Sequence, residues 1–73
     1  MKIEKLKNGD FLKINGATYE VLYAHLPIYL HELRSKSLHP THQLWHYSDK
    51  NEVYFVSERS KIKLKLQDIE LAK

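Results

Sequence analysis

Residues 11–24 read FLKINGATYEVLYA, two β-prone runs on either side of an asparagine–glycine pair. Asn15-Gly16 predicts a β-hairpin, because a type I′ turn needs positive φ at both central residues and this pair tolerates it. With these two residues as the turn, Leu12 lies opposite Tyr19 and Ile14 lies opposite Ala17. Alternation along the strands then predicts one core face, made of Leu12, Ile14, Tyr19, Val21 and Tyr23.

The opposite face of this hairpin carries two apolar side chains, Phe11 and Leu22, among polar ones. Apolar residues on a solvent-facing surface need either a cover or a partner. Together with Tyr29 and the rest of residues 26–42, they form a candidate surface for binding another protein or a second copy of the chain.

Residues 43–57 predict a second hairpin with its turn near residues 49–51. A three-residue loop ending in a left-handed asparagine pairs Tyr47 with Val53. A two-residue loop pairs Tyr47 with Tyr54 instead. The sequence leaves both registers open.

Charged and apolar residues alternate strictly over residues 59–66, RSKIKLKL. This period of two predicts a strand with its apolar residues in the core. Four cations line its other face: Arg59, Lys61, Lys63 and Lys65. Lysines also protect an edge strand from pairing with other chains, so the row does not by itself indicate a binding site. A short turn or last short strand follows, and it is expected to return Ile69 and Leu71 to the core.

The middle of the chain has a helical apolar pattern. Leu26, Tyr29, Leu30 and Leu33 match the spacing i, i+3, i+4, i+7, and Pro27 suits the first turn of a helix. Residues 26–37 therefore predict one short helix or an irregular insertion.

These patterns together predict a mainly β fold with strands near residues 10–14, 17–24, 43–48, 52–58 and 61–66. The predicted core residues are Leu12, Ile14, Val21, Trp45, Phe55, Ile62 and Leu64. With 73 residues the chain has room for one domain, residues 1–73, and it has no cysteine for a disulfide or thiolate zinc site. We find no apolar leader or membrane-spanning run, so a cytoplasmic protein without membrane attachment is expected.

Residues 6–21 resemble the first hairpin of SH3-like small β-barrels of the KOW type. The shared elements are Gly9 before the first strand, Asn15-Gly16 at the turn, and Tyr19 followed by Val21. The resemblance implies a small barrel or strongly bent antiparallel sheet of about five strands. It transfers no functional residue, because residues 25–29 replace the glycine–lysine–glycine loop of the translation-factor barrels in this class.

Five histidines raise the question of a metal site. His39, His42 and His46 would share one face of a helix, but on a strand His42 and His46 lie about 13 Å apart, too far for one ion. We therefore expect no metal and no cofactor. No nucleophile motif, phosphate-binding glycine loop or paired carboxylate is present, so the chain is not expected to be an enzyme.

Aromatic and basic residues together are the remaining functional signal. Rings that stack on bases and cations that follow phosphates are typical of small barrels that bind RNA or single-stranded DNA. The candidate residues are Arg59, Lys61, Lys63, Lys65, Tyr54 and His46, with the last two expected to be an exposed pair. The formal net charge of +3 permits such a partner. The alternative is a protein-interaction or self-associating module that uses Phe11, Leu22 and Tyr29.

Overall fold

A computed structural model of the chain describes residues 3–25, 27–37, 39–47, 49–50 and 52–72. Within these residues the chain forms strands β1 (Phe11–Ile14), β2 (Ala17–Tyr23), β3 (Ile28–Glu32), β4 (His42–Tyr47), β5 (Glu52–Ser57), β6 (Lys61–Leu64) and β7 (Ile69–Ala72). Two short 3-10 helices, Ile3–Lys5 and Leu66–Asp68, complete the described structure, which contains no α-helix.

All neighbouring strands are antiparallel, and the sheet order is β6-β5-β4-β3-β2-β1-β7. The two edge strands, β6 and β7, are consecutive along the chain and are joined by residues 65–68. Because so short a link reaches only about 18 Å when extended, the edges must approach each other at this end. The sheet is accordingly a strongly curled half-barrel.

The core fills the concave side of this half-barrel. Its fully buried side chains come from five neighbouring strands: Leu12, Ile14, Val21, Ile28, Leu30, Leu44 and Val53. Ile3 and Leu6, before β1, are buried against the same cluster. Burying so much aliphatic surface on one side leaves the other, convex side of the sheet for solvent or ligands.

The first hairpin is confirmed. Asn15 and Gly16 have φ of 50° and 84°, as a type I′ turn requires. Leu12 pairs with Tyr19 and Ile14 with Ala17, which is the predicted register. The core face is confirmed except for Tyr23, which is 50% exposed. A bulge between Val21 and Tyr23 shifts the pairing with β3 and turns this ring out of the core.

The helix predicted for residues 26–37 is wrong. Residues 28–32 form β3, which lies between β2 and β4, and Leu26 lies outside the described residues. Ile28 and Leu30 are fully buried, whereas Leu33, which a helix would have placed in the core, is 49% exposed. Pairing on both sides satisfies the strand's backbone groups, and this tertiary gain outweighs the local helical pattern.

Both predicted registers of the second hairpin are wrong by at least one residue. Tyr47 pairs with Glu52, and Trp45 pairs with Tyr54. Asn51, the expected left-handed residue, lies outside the described residues. Because side chains alternate faces, the shift moves Leu44 into the core and Trp45 out of it. The prediction that Trp45 is buried is therefore wrong.

The two edge strands of the sheet, β6 and β7, are less buried than the sequence predicts. The basic strand ends at Leu64, which is buried, whereas Ile62 is 43% exposed because β6 is an edge strand with β5 on one side alone. Ile69 is buried at the start of β7, but Leu71 is 56% exposed at the other edge of the sheet. Burial of Ile62 and Leu71 was predicted wrongly.

Candidate functional site

The convex face of β4, β5 and β6 carries an unusual set of side chains. Strand pairing fixes its rows: Gln43 with Val56 and Lys61, then Trp45 with Tyr54 and Lys63, then Tyr47 with Glu52. We call these eight residues the outer face of β4–β6: Gln43, Trp45, Tyr47, Glu52, Tyr54, Val56, Lys61 and Lys63. The core residues Leu44, Val53 and Phe55 alternate with them on the concave side.

Three aromatic rings of this face are close together. The Trp45 and Tyr47 rings are nearly parallel, at 13°, with centroids 6.4 Å apart. The Tyr47 and Tyr54 rings meet edge to face at 5.8 Å. Trp45 and Tyr54 are partly exposed and Tyr47 is exposed. The Trp45 Nε1–H donates to Gln43 Oε1 at 3.1 Å, which fixes the orientation of both side chains.

Cations border these rings. The Lys61 Nζ lies 4.7 Å from the centroid of the Tyr54 ring, within the range of a cation–π contact. Lys63 lies directly across from Tyr54 on β6 and is exposed. Lys50, from the β4–β5 turn, joins Tyr47, Glu52, Tyr54 and Lys61 around a cleft of about 270 Å³.

A carboxylate lies among these cations. The Tyr54 hydroxyl donates a hydrogen bond to Glu52 Oε2. This bond, with smaller contributions from the charges of Lys63, Lys50 and Lys61, lowers the pKa of Glu52 below its usual value. The same bond raises the pKa of Tyr54, because a phenolate beside a carboxylate is unfavourable. Glu52 is therefore ionised at neutral pH.

A larger groove adjoins this face. It measures about 920 Å³ and is bordered by the loop before β4 and the turn after β5. Tyr29, Gln43 and Val56 from the convex side of the sheet line it, together with His39 and Arg59 from the loop and the turn. Gln43 thus belongs both to the groove and to the outer face of β4–β6, so the two surfaces are continuous.

The structure brings some of the predicted nucleic-acid-binding residues together and separates others. Tyr54, Lys61 and Lys63 share the outer face, and Arg59 lines the adjoining groove. Lys65 follows the end of β6, and its backbone N–H donates to Asp68 Oδ2 at 3.1 Å.

His46 does not pair with Tyr54. It lies across from Val53 and so belongs to the concave side, which makes the expected exposed pair of His46 and Tyr54 wrong. Alternation places these two side chains on opposite faces as soon as the register shifts by one residue.

Sequence reasoning missed Trp45, Tyr47, Gln43 and Glu52 as members of this surface. The incorrect hairpin register places Trp45 in the core. One signal for the correct register was present in the sequence. Val53 and Phe55 alternate as core residues of β5, and Leu44 is the aliphatic residue of β4 that can face them, which favours the register that turns Trp45 outward.

The residues of the alternative protein interface come from three neighbouring strands, β1, β2 and β3. Phe11 pairs with Glu20 on the convex side and is 37% exposed, and Leu22, at the bulge of β2, is 39% exposed. Tyr29 is half-buried in the groove beside Gln43.

A second ring cluster lies on the concave side, at one end of the half-barrel. The His42 imidazole stacks on Phe55 at 4.6 Å and 3°, and the Tyr19 ring meets each of them edge to face. Burial lowers the pKa of His42, an effect that the charge of Glu32 partly opposes. Burial, helped by Glu32, raises the pKa of Tyr19. Both groups are uncharged at neutral pH and serve packing.

Metal ligands do not assemble in the described part of the chain, where no three His, Asp or Glu side chains form a group that could hold an ion. His42 and His46 lie on one strand, as the distance argument assumed, and His39 lies in the groove. Among the described residues there is also no helix with the length and apolar character that crossing a membrane requires.

Comparison of the chain with protein-family models, with curated proteins and with solved structures found no match.

Proposed function

We propose that this chain is a non-enzymatic module that binds RNA or single-stranded DNA on the outer face of β4–β6. The observation that carries the proposal is the row of partly exposed rings, Trp45, Tyr47 and Tyr54, bordered by Lys61 and Lys63. Base–aromatic stacking contributes about 1–3 kcal/mol per base, and lysines beside the rings neutralise the phosphates that link the bases.

A single strand fits this surface better than a duplex. Stacking on side chains requires bases that are free of their own stack, which loops and single strands provide. The rings emerge from the convex side of a sheet, where a flexible strand can lie across them. A duplex would meet the same surface with its phosphates alone.

An active site is not part of the proposal, and neither is a cofactor. Catalytic groups are typically held in a water-excluded site that shifts their pKa values. In the described part of the chain no polar or charged side chain is fully buried. Among the groups with shifted pKa values, Glu52 and Tyr54 are open to solvent, and Tyr19 and His42 pack around Phe55. We further propose the SH3-like barrel as the parent architecture and the cytoplasm as the location, on the strength of the first hairpin and the chain's composition.

Trp45 provides a direct test, because it is the single tryptophan of the chain. Adding a single-stranded ten-nucleotide RNA or DNA at low salt should quench its fluorescence, since a base stacks on the indole. Dextran sulfate, a polyanion without bases, should leave the fluorescence largely unchanged. Tyr54→Leu should weaken oligonucleotide binding about tenfold, whereas Tyr23→Leu, which removes an exposed ring of β2 outside the outer face of β4–β6, should not. Failure to bind either oligonucleotide would refute the proposal.

A second function, protein interaction or self-association, has one observation in its favour: Phe11 and Leu22 are both more than one-third exposed on the β1–β2 side of the molecule. Sedimentation equilibrium measures it directly. A monomer of 8.7 kDa at every concentration speaks against self-association. A dimer that dissociates when Phe11→Ser and Leu22→Ser are combined would support self-association.

A further inference from the structure

Glu52 is the one carboxylate on the outer face of β4–β6. Its position is unfavourable for general binding of a polyanion, because a negative charge there repels phosphates and offsets the attraction of the lysines. A neutral residue would bind phosphate better. Its carboxylate therefore suggests a role other than attraction of the backbone.

The surroundings of Glu52 hold it as an oriented, ionised acceptor. Tyr54 donates to Oε2, and Lys50 and Lys61 lie around the same cleft. An ionised carboxylate accepts hydrogen bonds and donates none, and it has about four lone-pair sites. The Tyr54 hydroxyl uses one of them. Tyr47 and Tyr54 line the same cleft as this carboxylate, so a base stacked on either ring would bring its edge near the remaining sites.

Nucleobases differ in what they offer to such an acceptor. Cytosine and adenine carry exocyclic amino groups, and guanine carries an amino group beside a ring N–H, so each can donate to a carboxylate. Uracil and thymine have one ring N–H between two carbonyl oxygens, and those oxygens repel a negative charge. In a single strand these edges are free to be read.

We infer that Glu52 makes this surface selective for bases with an exocyclic amino group, so that a cytosine-containing strand binds in preference to a uracil- or thymine-containing one. The inference rests on the proposed function and adds a specificity to it. Hydrogen bonds to charged acceptors are stronger than neutral ones, so a preference of about five- to tenfold is expected from this contact.

Ten-nucleotide oligo(rC) and oligo(rU) test the inference, because both are pyrimidines and differ little in ring size. Trp45 fluorescence titrations at pH 7.5 and fixed salt should give the wild-type chain a five- to tenfold lower Kd for oligo(rC). Glu52→Gln should bind oligo(rU) more tightly than wild type and bring the ratio of the two Kd values close to one, because a carboxamide both donates and accepts.

Glu70→Gln is the matched control. Glu70 is an exposed carboxylate on β7, across from Lys13, and its loss changes the net charge equally. It should shift both affinities slightly and preserve their ratio. If Glu52→Gln fails to fold by thermal melting, Glu52→Asp replaces it, since a shorter carboxylate should also reduce the ratio.

Two results overturn the inference while leaving the proposed function intact: equal binding of oligo(rC) and oligo(rU) by the wild-type chain, or a preference that Glu52→Gln and Glu52→Asp both retain. If neither oligonucleotide binds at low salt, the proposed function fails and the inference fails with it.

Discussion

At the residue scale, two turn residues hold the backbone in conformations that most amino acids avoid. Gly16 has φ of 84°, and a Cβ added there would meet nothing within 4 Å. Any cost of substitution at this position therefore comes from the backbone rather than from a clash.

Gly16→Val should lower the free energy of unfolding by about 1–2 kcal/mol, because a β-branched residue resists positive φ. Urea denaturation measures this loss. Asn15→Gly is the control: Asn15 has φ of 50°, which glycine adopts freely, so that variant should remain within about 0.5 kcal/mol of wild type. An unchanged midpoint for Gly16→Val would show that this turn tolerates other conformations.

His42 gives the fold a dependence on pH at the same scale. Its pKa in the folded state is below 6.5, because burial between Tyr19 and Phe55 disfavours the imidazolium and Glu32 only partly compensates. The unfolded chain then takes up a proton more readily than the folded one. This contribution to stability is fully present above pH 6.5 and is lost as the pH falls through the lowered pKa of the folded state.

Replacement of His42 by Phe should remove the loss of stability at low pH, since a phenyl ring keeps the stack on Phe55 and does not titrate. Urea midpoints at pH 7.5 and 5.5 should differ less for His42→Phe than for wild type. His39→Gln, at an exposed loop position, should keep the wild-type difference. Equal pH dependence in wild type and His42→Phe would contradict the prediction.

At the element scale, the strands that sequence reasoning identified are those with a local signal. β1 and β2 flank a positive-φ turn, and β6 shows strict alternation. β3 lacks such a signal, and after residue 66 the sequence leaves a turn or a short strand open, because both strands depend on pairing: β3 lies between β2 and β4, and β7 pairs with β1 from the other end of the chain. A helical apolar pattern cannot reveal partners that lie elsewhere in the sequence.

The candidate site likewise contains residues that a local sequence signal reveals and residues whose position depends on strand pairing. Lys61, Lys63 and Tyr54 could be assigned to one surface from their own alternation. Trp45 and Tyr47 could not, because a one-residue difference in the length of a loop moves every side chain of β4 to the other face. The register depends on the core partners of Leu44 across the sheet, Ile28 and Phe55, which local turn chemistry does not report.

Two leucines of the middle segment distinguish β3 from a helix in solution. Leu30→Ala should destabilise the fold by about 2–5 kcal/mol, because Leu30 is fully buried. Leu33→Ala should cost about 0.5 kcal/mol or less, because Leu33 is 49% exposed just after the strand. A helix over residues 26–37 would bury both, so comparable losses in urea denaturation would contradict the strand.

At the scale of the whole molecule, charge is spread unevenly over a small surface. The formal net charge of +3 attracts any polyanion weakly, wherever it approaches. Lys50, Lys61 and Lys63 are instead concentrated beside the aromatic row. Attraction by the net charge and attraction by this local group predict different outcomes when lysines are removed in pairs.

Lys61→Gln with Lys63→Gln should therefore weaken oligonucleotide binding far more than Lys7→Gln with Lys13→Gln, although both pairs remove two charges. Lys7 lies just before β1 and Lys13 lies within it, and both are exposed and away from the rings.

Each neutralised phosphate of a single strand contributes about −0.7 to the slope of log affinity against log salt. Wild type, with three lysines engaged, should show a slope near −2 on that scale, and the Lys61 and Lys63 pair should reduce it to about −0.7. The Lys7 and Lys13 pair should keep the wild-type slope. Neither pair should lower the free energy of unfolding by more than about 1 kcal/mol, because all four side chains are exposed and the Lys61–Tyr54 contact contributes no more than that. Equal flattening by both pairs would mean that net charge alone attracts the strand, and the lysines of β6 would then be explained as protection of an edge strand.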